Sequence, residues 1–101
     1  MVKHIILWNL KDELEGAKKE EVKLGIKNAL ESLQGKVPGL VEIKVETNPL
    51  PSSNCDVMLY SVLESEEALK GYAVHPDHVE AANTFVRPFT KTRTCMDFEV
   101  K

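Results

Sequence analysis

Residues 2–10 alternate like a strand but are apolar on both faces. One face carries Ile5 and Leu7 between two polar residues. The other face carries Val2, His4, Ile6, Trp8 and Leu10. A strand that is apolar on both sides is covered on both sides. In a chain of 101 residues the helices can pack on only one face of the sheet. We therefore expect a central strand whose other face packs against a second subunit.

The middle of the chain predicts one helix and two more strands. Residues 17–33 predict an amphipathic helix, because apolar side chains recur at helical spacing at Val22, Ile26, Ala29, Leu30 and Leu33. Residues 40–47 predict a half-buried strand, with its inner face at Val41, Ile43 and Val45. Residues 55–63 predict a central strand, which is apolar on both faces: Cys55, Val57, Leu59 and Leu63 oppose Asp56, Met58, Tyr60 and Val62.

The second helix is predicted to break in two at Pro76. Ser65 suits the N-cap of its first part, which ends near Tyr72. Pro76 lacks an N–H group and suits the first position of a new helix. The stripe Val79, Ala82, Asn83 and Val86 then continues this helix to Pro88. We therefore expect Tyr72 and His78 to point into the same space.

The last strand is predicted from Phe89 or Thr90 to Val100, and its register stays open between two alternating faces. The order β-α-β-β-α-β is that of an α+β, ferredoxin-like fold with the first and third strands in the centre. We expect one domain over residues 1–101. The uncovered sheet face predicts a homodimer in which two sheets meet in a barrel-like core.

Composition limits the classes of partner. The net charge of −3, with lysines interspersed among glutamates, argues against nucleic acid. No apolar run approaches a membrane span of about 20 residues. Cys55 and Cys95 match no metal spacing and lie on non-adjacent predicted strands. We expect two reduced, non-catalytic thiols and a cytoplasmic protein, with no metal or cofactor.

Four segments carry a resemblance to a known family: Val2-Lys3-His4, the passage 63–69, the segment Tyr72-Ala73-Val74-His75-Pro76-Asp77-His78-Val79, and Asp97-Phe98-Glu99. Through them the chain resembles the stress-responsive A/B barrel (Dabb) family of dimeric ferredoxin-like proteins. The resemblance covers almost the whole chain and implies a pocket between the sheet and the helices of each subunit.

The resemblance also implies roles for individual residues. By analogy with a plant polyketide cyclase of the family, His78 would be a catalytic base and Tyr72 would orient it and the substrate. The predicted ligand-binding residues are His4, Ile6, Trp8, Asp56, Met58, His75 and Ala82. His75 has mainly a structural interpretation, because it directly precedes Pro76.

Simpler interpretations stay open at this stage. Tyr72 can be a core aromatic residue whose hydroxyl finds a partner, and His4 a satisfied core histidine. For Asp56 three alternatives stay open: a pair with a partner such as His4 or His78, a position near solvent at the start of its strand, or a raised pKa. Three functions fit: a small-molecule binding protein, a cofactor-free enzyme such as a polyketide-type cyclase or monooxygenase, and a structural stress protein.

Overall fold

One antiparallel sheet and three helices make up the fold. The computed structural model describes residues 1–100. The strands are β1 (Val2–Leu10), β2 (Leu40–Glu46), β3 (Val57–Leu63) and β4 (Thr90–Glu99), and the helices are α1 (Gly16–Glu31), α2 (Glu66–Val74) and α3 (Pro76–Ala81). The sheet order is β2-β3-β1-β4. The predicted ferredoxin-like α+β fold, with β1 and β3 in the centre, is confirmed.

The helices cover one face of the sheet and build the core there. All five β1 side chains of the face that includes His4 are buried. Val22, Ile26 and Leu30 of α1 belong to the same apolar core. Burial of one such aliphatic side chain contributes about 1.5–3 kcal/mol. Among the helices in residues 1–100, none is long and apolar enough to cross a membrane.

The opposite face of the sheet carries apolar side chains, and no helix within residues 1–100 covers it. The pairing of β1 with β3 and β4 aligns seven such residues on it: Ile5, Leu7, Met58, Tyr60, Val62, Met96 and Phe98. Met96 is 67% exposed and Phe98 is 42% exposed. Large apolar side chains left in water along one sheet face are typical of a face that packs against a partner.

Two local predictions were wrong in detail. Val41 is exposed and Leu40 is buried, because the register between β2 and β3 shifts between Leu40 and Glu42. Such a bulge moves the following residues to the other side of the pleat. β3 begins at Val57, two residues later than predicted.

The helix after Pro76 also differs from the prediction. α3 ends at Ala81 and continues as a π-helical turn, Ala82–Val86, and a 3₁₀ turn, Arg87–Phe89. The wider π turn leaves Asn83 exposed, although the sequence stripe assigned it to the inner face. Ala82 and Val86 stay buried, as predicted. Single π turns occur frequently at functional sites.

Gly39 gives a testable constraint on the position of α2. Gly39 has φ +82°, and an added Cβ would lie 2.5 Å from the Cβ of Ala68 on α2. Gly35 has nearly the same φ, +83°, but nothing within 4 Å of an added Cβ. We expect Gly35→Ala to cost about 1–2 kcal/mol in free energy of unfolding from backbone strain alone. Gly39→Ala should cost about 1–3 kcal/mol more, because the clash adds to the strain.

Chemical denaturation of both variants measures the difference directly. Equal losses in the two variants would show that the close approach of Gly39 to α2 does not constrain the fold.

Candidate functional site

A cavity of about 130 Å³ lies between the helix-covered face of the sheet and the helices. Its lining is apolar toward the core and polar toward the broken helix and β4. The lining residues are His4, Ile6, Trp8, Leu30, Leu59, Leu69, Tyr72, Ala73, His78, Ala82, Val86, Arg87, Thr90 and Arg93. The expected pocket between sheet and helices is therefore present in the fold.

The break between α2 and α3 brings Tyr72 and His78 to this cavity. His75 has φ −63° and ψ 132°, an extended conformation that suits a residue before proline. Its Nδ1 accepts a hydrogen bond from the N–H of Asp77 at 3.1 Å, so His75 caps α3. Pro76 occupies the first turn of α3. His75 thus has the structural role that the sequence suggested.

The rings of Tyr72 and His78 lie against each other, with centroids 4.3 Å apart and planes at 40°. No direct hydrogen bond joins their polar atoms in the described residues. The Nδ1 of His78 instead donates to the carbonyl oxygen of Ala73 at 3.2 Å. This contact leaves the lone pair of the neutral ring on Nε2. The sequence predicted the proximity of the two side chains, but they meet as two tilted rings and not through their polar atoms.

Burial keeps His78 neutral at pH 7. Desolvation lowers the pKa of His78, and the positive charges of Arg87 and Arg93 lower it further. The hydrogen bond to Ala73 opposes this shift. A neutral imidazole with a free Nε2 can accept a hydrogen bond or a proton from a molecule in the cavity.

The hydroxyl of Tyr72 has no hydrogen-bond partner within residues 1–100. The Tyr72 side chain is only 1% exposed. Burial raises the pKa of this phenol, so the hydroxyl keeps its proton and remains a donor. A buried polar group without a partner costs about 1–3 kcal/mol. Such a group needs an explanation, and a bound molecule that accepts its hydrogen bond supplies one.

His4 is held by a carboxylate that the sequence did not indicate. Its Nδ1 is hydrogen-bonded to Oδ1 of Asp97. The two residues are cross-strand partners in the β1–β4 register. The backbone carbonyl of His4 accepts a hydrogen bond from the hydroxyl of Ser61 at 3.0 Å. The ring of His4 meets the ring of Tyr72 edge-on, at a centroid distance of 6.0 Å.

Cys95 lies beside this pair. Its Sγ is 3.8 Å from Nδ1 of His4 and 3.6 Å from Oδ1 of Asp97. Burial and the Asp97 carboxylate raise the pKa of the thiol, although Arg93 opposes them. Cys55 and Cys95 are both free thiols in the structure.

The open side of the cavity is positively charged. Arg87 and Arg93 line it, and neither forms an ion pair with a carboxylate in residues 1–100. The guanidinium of Arg87 donates to Oδ1 of Asn83, which is neutral. The lining contains no acidic side chain. In a chain with a net charge of −3, this arrangement favours an anionic group at the mouth of the cavity.

Six of the predicted site residues line the cavity: His4, Ile6, Trp8, Tyr72, His78 and Ala82. The other three predicted residues do not line the cavity: His75, Asp56 and Met58. Met58 points to the open face of the sheet because it alternates with Val57 and Leu59, which are buried under the helices.

Asp56 precedes β3 and acts as a structural acceptor. Its Oδ2 accepts from the N–H of Leu10 at 2.9 Å, and its Oδ1 lies 3.3 Å from Nζ of Lys19. Desolvation opposes ionisation, but these two contacts hold the pKa of Asp56 below its ordinary value. The open question about Asp56 is thereby answered: its partner is a lysine, and it pairs with no histidine.

Sequence reasoning missed Asp97, Arg87 and Arg93. The available signal was the pairing of β4 with β1, in which His4 opposes Asp97 and Trp8 opposes Arg93. The alternation within β4 alone does not select this register, since both faces of the strand mix polar and apolar side chains.

The unpartnered Tyr72 hydroxyl leads to a stability prediction. Tyr72→Phe removes a buried donor without changing the ring, so we expect no loss in free energy of unfolding, or a gain of up to about 1 kcal/mol. Ser61→Ala is the matched control, since it removes a buried hydroxyl that does have a partner. That control should lose about 1 kcal/mol. Urea unfolding measures both, and a loss above 1 kcal/mol for Tyr72→Phe would contradict the assignment.

Known proteins share this fold over nearly the whole chain. A dimeric protein of unknown function and ferredoxin-like fold from Bacteroides fragilis has 33% identity and a TM-score of 0.90, covering 98% of this chain and 95% of its own. A dimeric ferredoxin-like protein of unknown function from Thermobifida fusca has 22% identity and a TM-score of 0.77, with coverages of 98% and 90%. The hydroxynitrile lyase of Passiflora edulis has 19% identity and a TM-score of 0.73, with coverages of 99% and 93%.

No curated protein matches the chain. The model of the stress responsive A/B barrel domain, Dabb, matches residues 2–100. This match and the 33%-identical solved structure extend over nearly all of the fold described above. The chain belongs to the stress responsive A/B barrel (Dabb) domain family.

Proposed function

We propose that this protein binds a small organic molecule with an anionic head group in the cavity between the sheet and the helices. The observation that carries the proposal is the buried hydroxyl of Tyr72, which has no partner within residues 1–100. A ligand oxygen that accepts from this hydroxyl removes the cost of leaving a buried donor unpaired. His78 lies against the same ring and offers its Nε2 to the ligand.

The size of the cavity limits the ligand to about one ring. The volume is about 130 Å³, and an apolar cavity of about 150 Å³ accepts benzene. Ile6, Trp8 and Leu59 supply the apolar walls for such a body. Arg87 and Arg93 supply charged donors for a carboxylate at the mouth, where the planar guanidinium suits a planar anion.

Benzoate is a probe that matches this cavity, and calorimetry of benzoate, benzamide and benzylamine tests the head group. We expect benzoate to bind, benzamide to bind more weakly and benzylamine not to bind measurably, because the arginines repel a cation. Arg93→Gln should weaken benzoate binding at least about tenfold, since it removes a charge-assisted hydrogen bond worth about 1.5–3 kcal/mol.

Lys91→Gln is the matched control, since Lys91 also lies on β4 but pairs with Asp12 and does not line the cavity. Equal affinities for the three probes would contradict the anionic head group. If none of the three binds, the proposed function itself fails.

A second candidate is a cofactor-free enzyme in which His78 removes a proton from a bound carbon acid. The neutral His78 ring with a free Nε2 favours it. Phenylpyruvate in deuterated water tests this activity by proton NMR, because a catalysed enolisation exchanges its methylene protons. His78→Gln should abolish catalysed exchange but weaken binding only a few-fold. If the wild-type protein does not raise the exchange rate above that in buffer alone, this activity is excluded for phenylpyruvate.

We also propose that the open face of the sheet forms a homodimer interface. The solved relatives from Bacteroides fragilis and Thermobifida fusca are described as dimeric, and Met96 and Phe98 leave large apolar surfaces in water on this face. Met96→Asp should shift the protein to monomer in light scattering at micromolar concentration, because it places a charge within the apolar contact. Leu24→Asp is the control, since Leu24 is 57% exposed on α1 and away from this face. A wild-type monomer would contradict the proposal.

A further inference from the structure

We propose that His4, Cys95 and Asp97 form a zinc-binding site at the β1–β4 edge of the sheet. Nδ1 of His4, Sγ of Cys95 and a carboxylate oxygen of Asp97 all lie within 4.8 Å of one another. This triad lies outside the ligand proposal above, which uses Tyr72 and the arginines. The two proposals rest on different observations, although His4 lines the cavity and Arg93 stands near Cys95.

The strand register brings the three ligands together. His4 and Asp97 are direct partners across β1 and β4. Cys95 precedes Asp97 by two residues, so its side chain lies on the same face of β4. Cys95 and Asp97 lie 91 and 93 positions from His4 in the sequence. No short-range metal motif could therefore have revealed the set.

The distances fit tetrahedral coordination. With Zn–S of about 2.3 Å and Zn–N or Zn–O of about 2.0–2.1 Å, tetrahedral angles place sulfur about 3.5 Å from nitrogen or oxygen. Sγ of Cys95 lies 3.8 Å from Nδ1 of His4 and 3.6 Å from Oδ1 of Asp97. Only His4 and Asp97, which are now hydrogen-bonded, must separate, to about 3.3 Å by the same geometry. The Asp97 side chain is 42% exposed and has room to rotate.

The chemistry of the donors selects zinc among common divalent ions. A thiolate, an imidazole and a carboxylate form a mixed set that suits Zn²⁺ and not the oxygen-preferring Mg²⁺ or Ca²⁺. Binding releases the thiol proton of Cys95 into solvent, while His4 binds through Nδ1 as the neutral ring with its proton on Nε2, and no electron is transferred. The thiolate and the carboxylate together balance the charge of the ion. Arg93 stands near Cys95 and limits the affinity by repulsion.

Three protein ligands leave the fourth position open, as in catalytic zinc sites and unlike closed structural ones. Cys95 is exposed, so an ion reaches the site without unfolding the core. His4 also lines the cavity, which places the site next to the proposed ligand.

Cobalt titration of the metal-free protein tests the site without any organic ligand. We expect one Co²⁺ per chain and a near-ultraviolet thiolate-to-cobalt charge-transfer band that Zn²⁺ abolishes by competition. Cys95→Ser should remove the band and weaken zinc binding at least about tenfold. Asp97→Asn should weaken zinc binding while the band remains at high Co²⁺. Since Cys95 and Asp97 are exposed residues, these variants should keep the fold, which circular dichroism checks.

Cys55→Ser is the matched control, because Cys55 lies before β3 and is not part of the group. That variant should keep the band and the affinity of the wild type. The proposal is overturned if the wild-type protein shows no band, if the band survives in Cys95→Ser, or if it disappears in Cys55→Ser.

Discussion

The site depends on the break in the helix at Pro76. Pro76 cannot donate the hydrogen bond that would continue α2, and His75 adopts the extended conformation and caps the next helix. On one continuous helix, residues 72 and 78 would lie well over one turn apart and on different sides of the axis. With the break, their rings lie 4.3 Å apart. One missing N–H group therefore positions the polar end of the cavity.

The buried Ala82 leaves space in the cavity that a larger side chain would fill. Ala73 and Ala82 line it, and the π turn that begins at Ala82 carries Val86 to the same wall. Protein interiors are ordinarily packed to the density of organic crystals. A space of about 130 Å³ next to an unpartnered hydroxyl therefore lowers stability twice, through lost packing and through an unmade hydrogen bond. A bound molecule restores both the packing contacts and the hydrogen bond, so the loss of stability at the empty site is consistent with ligand binding there.

The sequence predicted the central strands, the order of elements and the broken helix because each depends on a local pattern. The two apolar faces of β1 are visible in its alternating sequence, and Pro76 breaks the helix at the position where it stands in the sequence. Asp97 and Arg93 could not be assigned, because their partners on β1 are distant in sequence and both faces of β4 mix polar with apolar residues. Met58 was assigned to the cavity together with Asp56, which lies on the same face of the predicted strand, although its alternation with Val57 and Leu59 places it on the open face. Val41 was misplaced because a bulge leaves no mark in an alternating pattern.

A crystal structure of the protein with 4-bromobenzoate tests the account most directly, because the bromine atom gives an anomalous signal that locates the ring without interpretation. The account predicts one strong peak per chain inside the cavity, with the carboxylate toward Arg87 and Arg93 and an oxygen within hydrogen-bond distance of the Tyr72 hydroxyl. A cavity that stays free of bromine under saturating ligand, or a ring bound only at the protein surface, would contradict it.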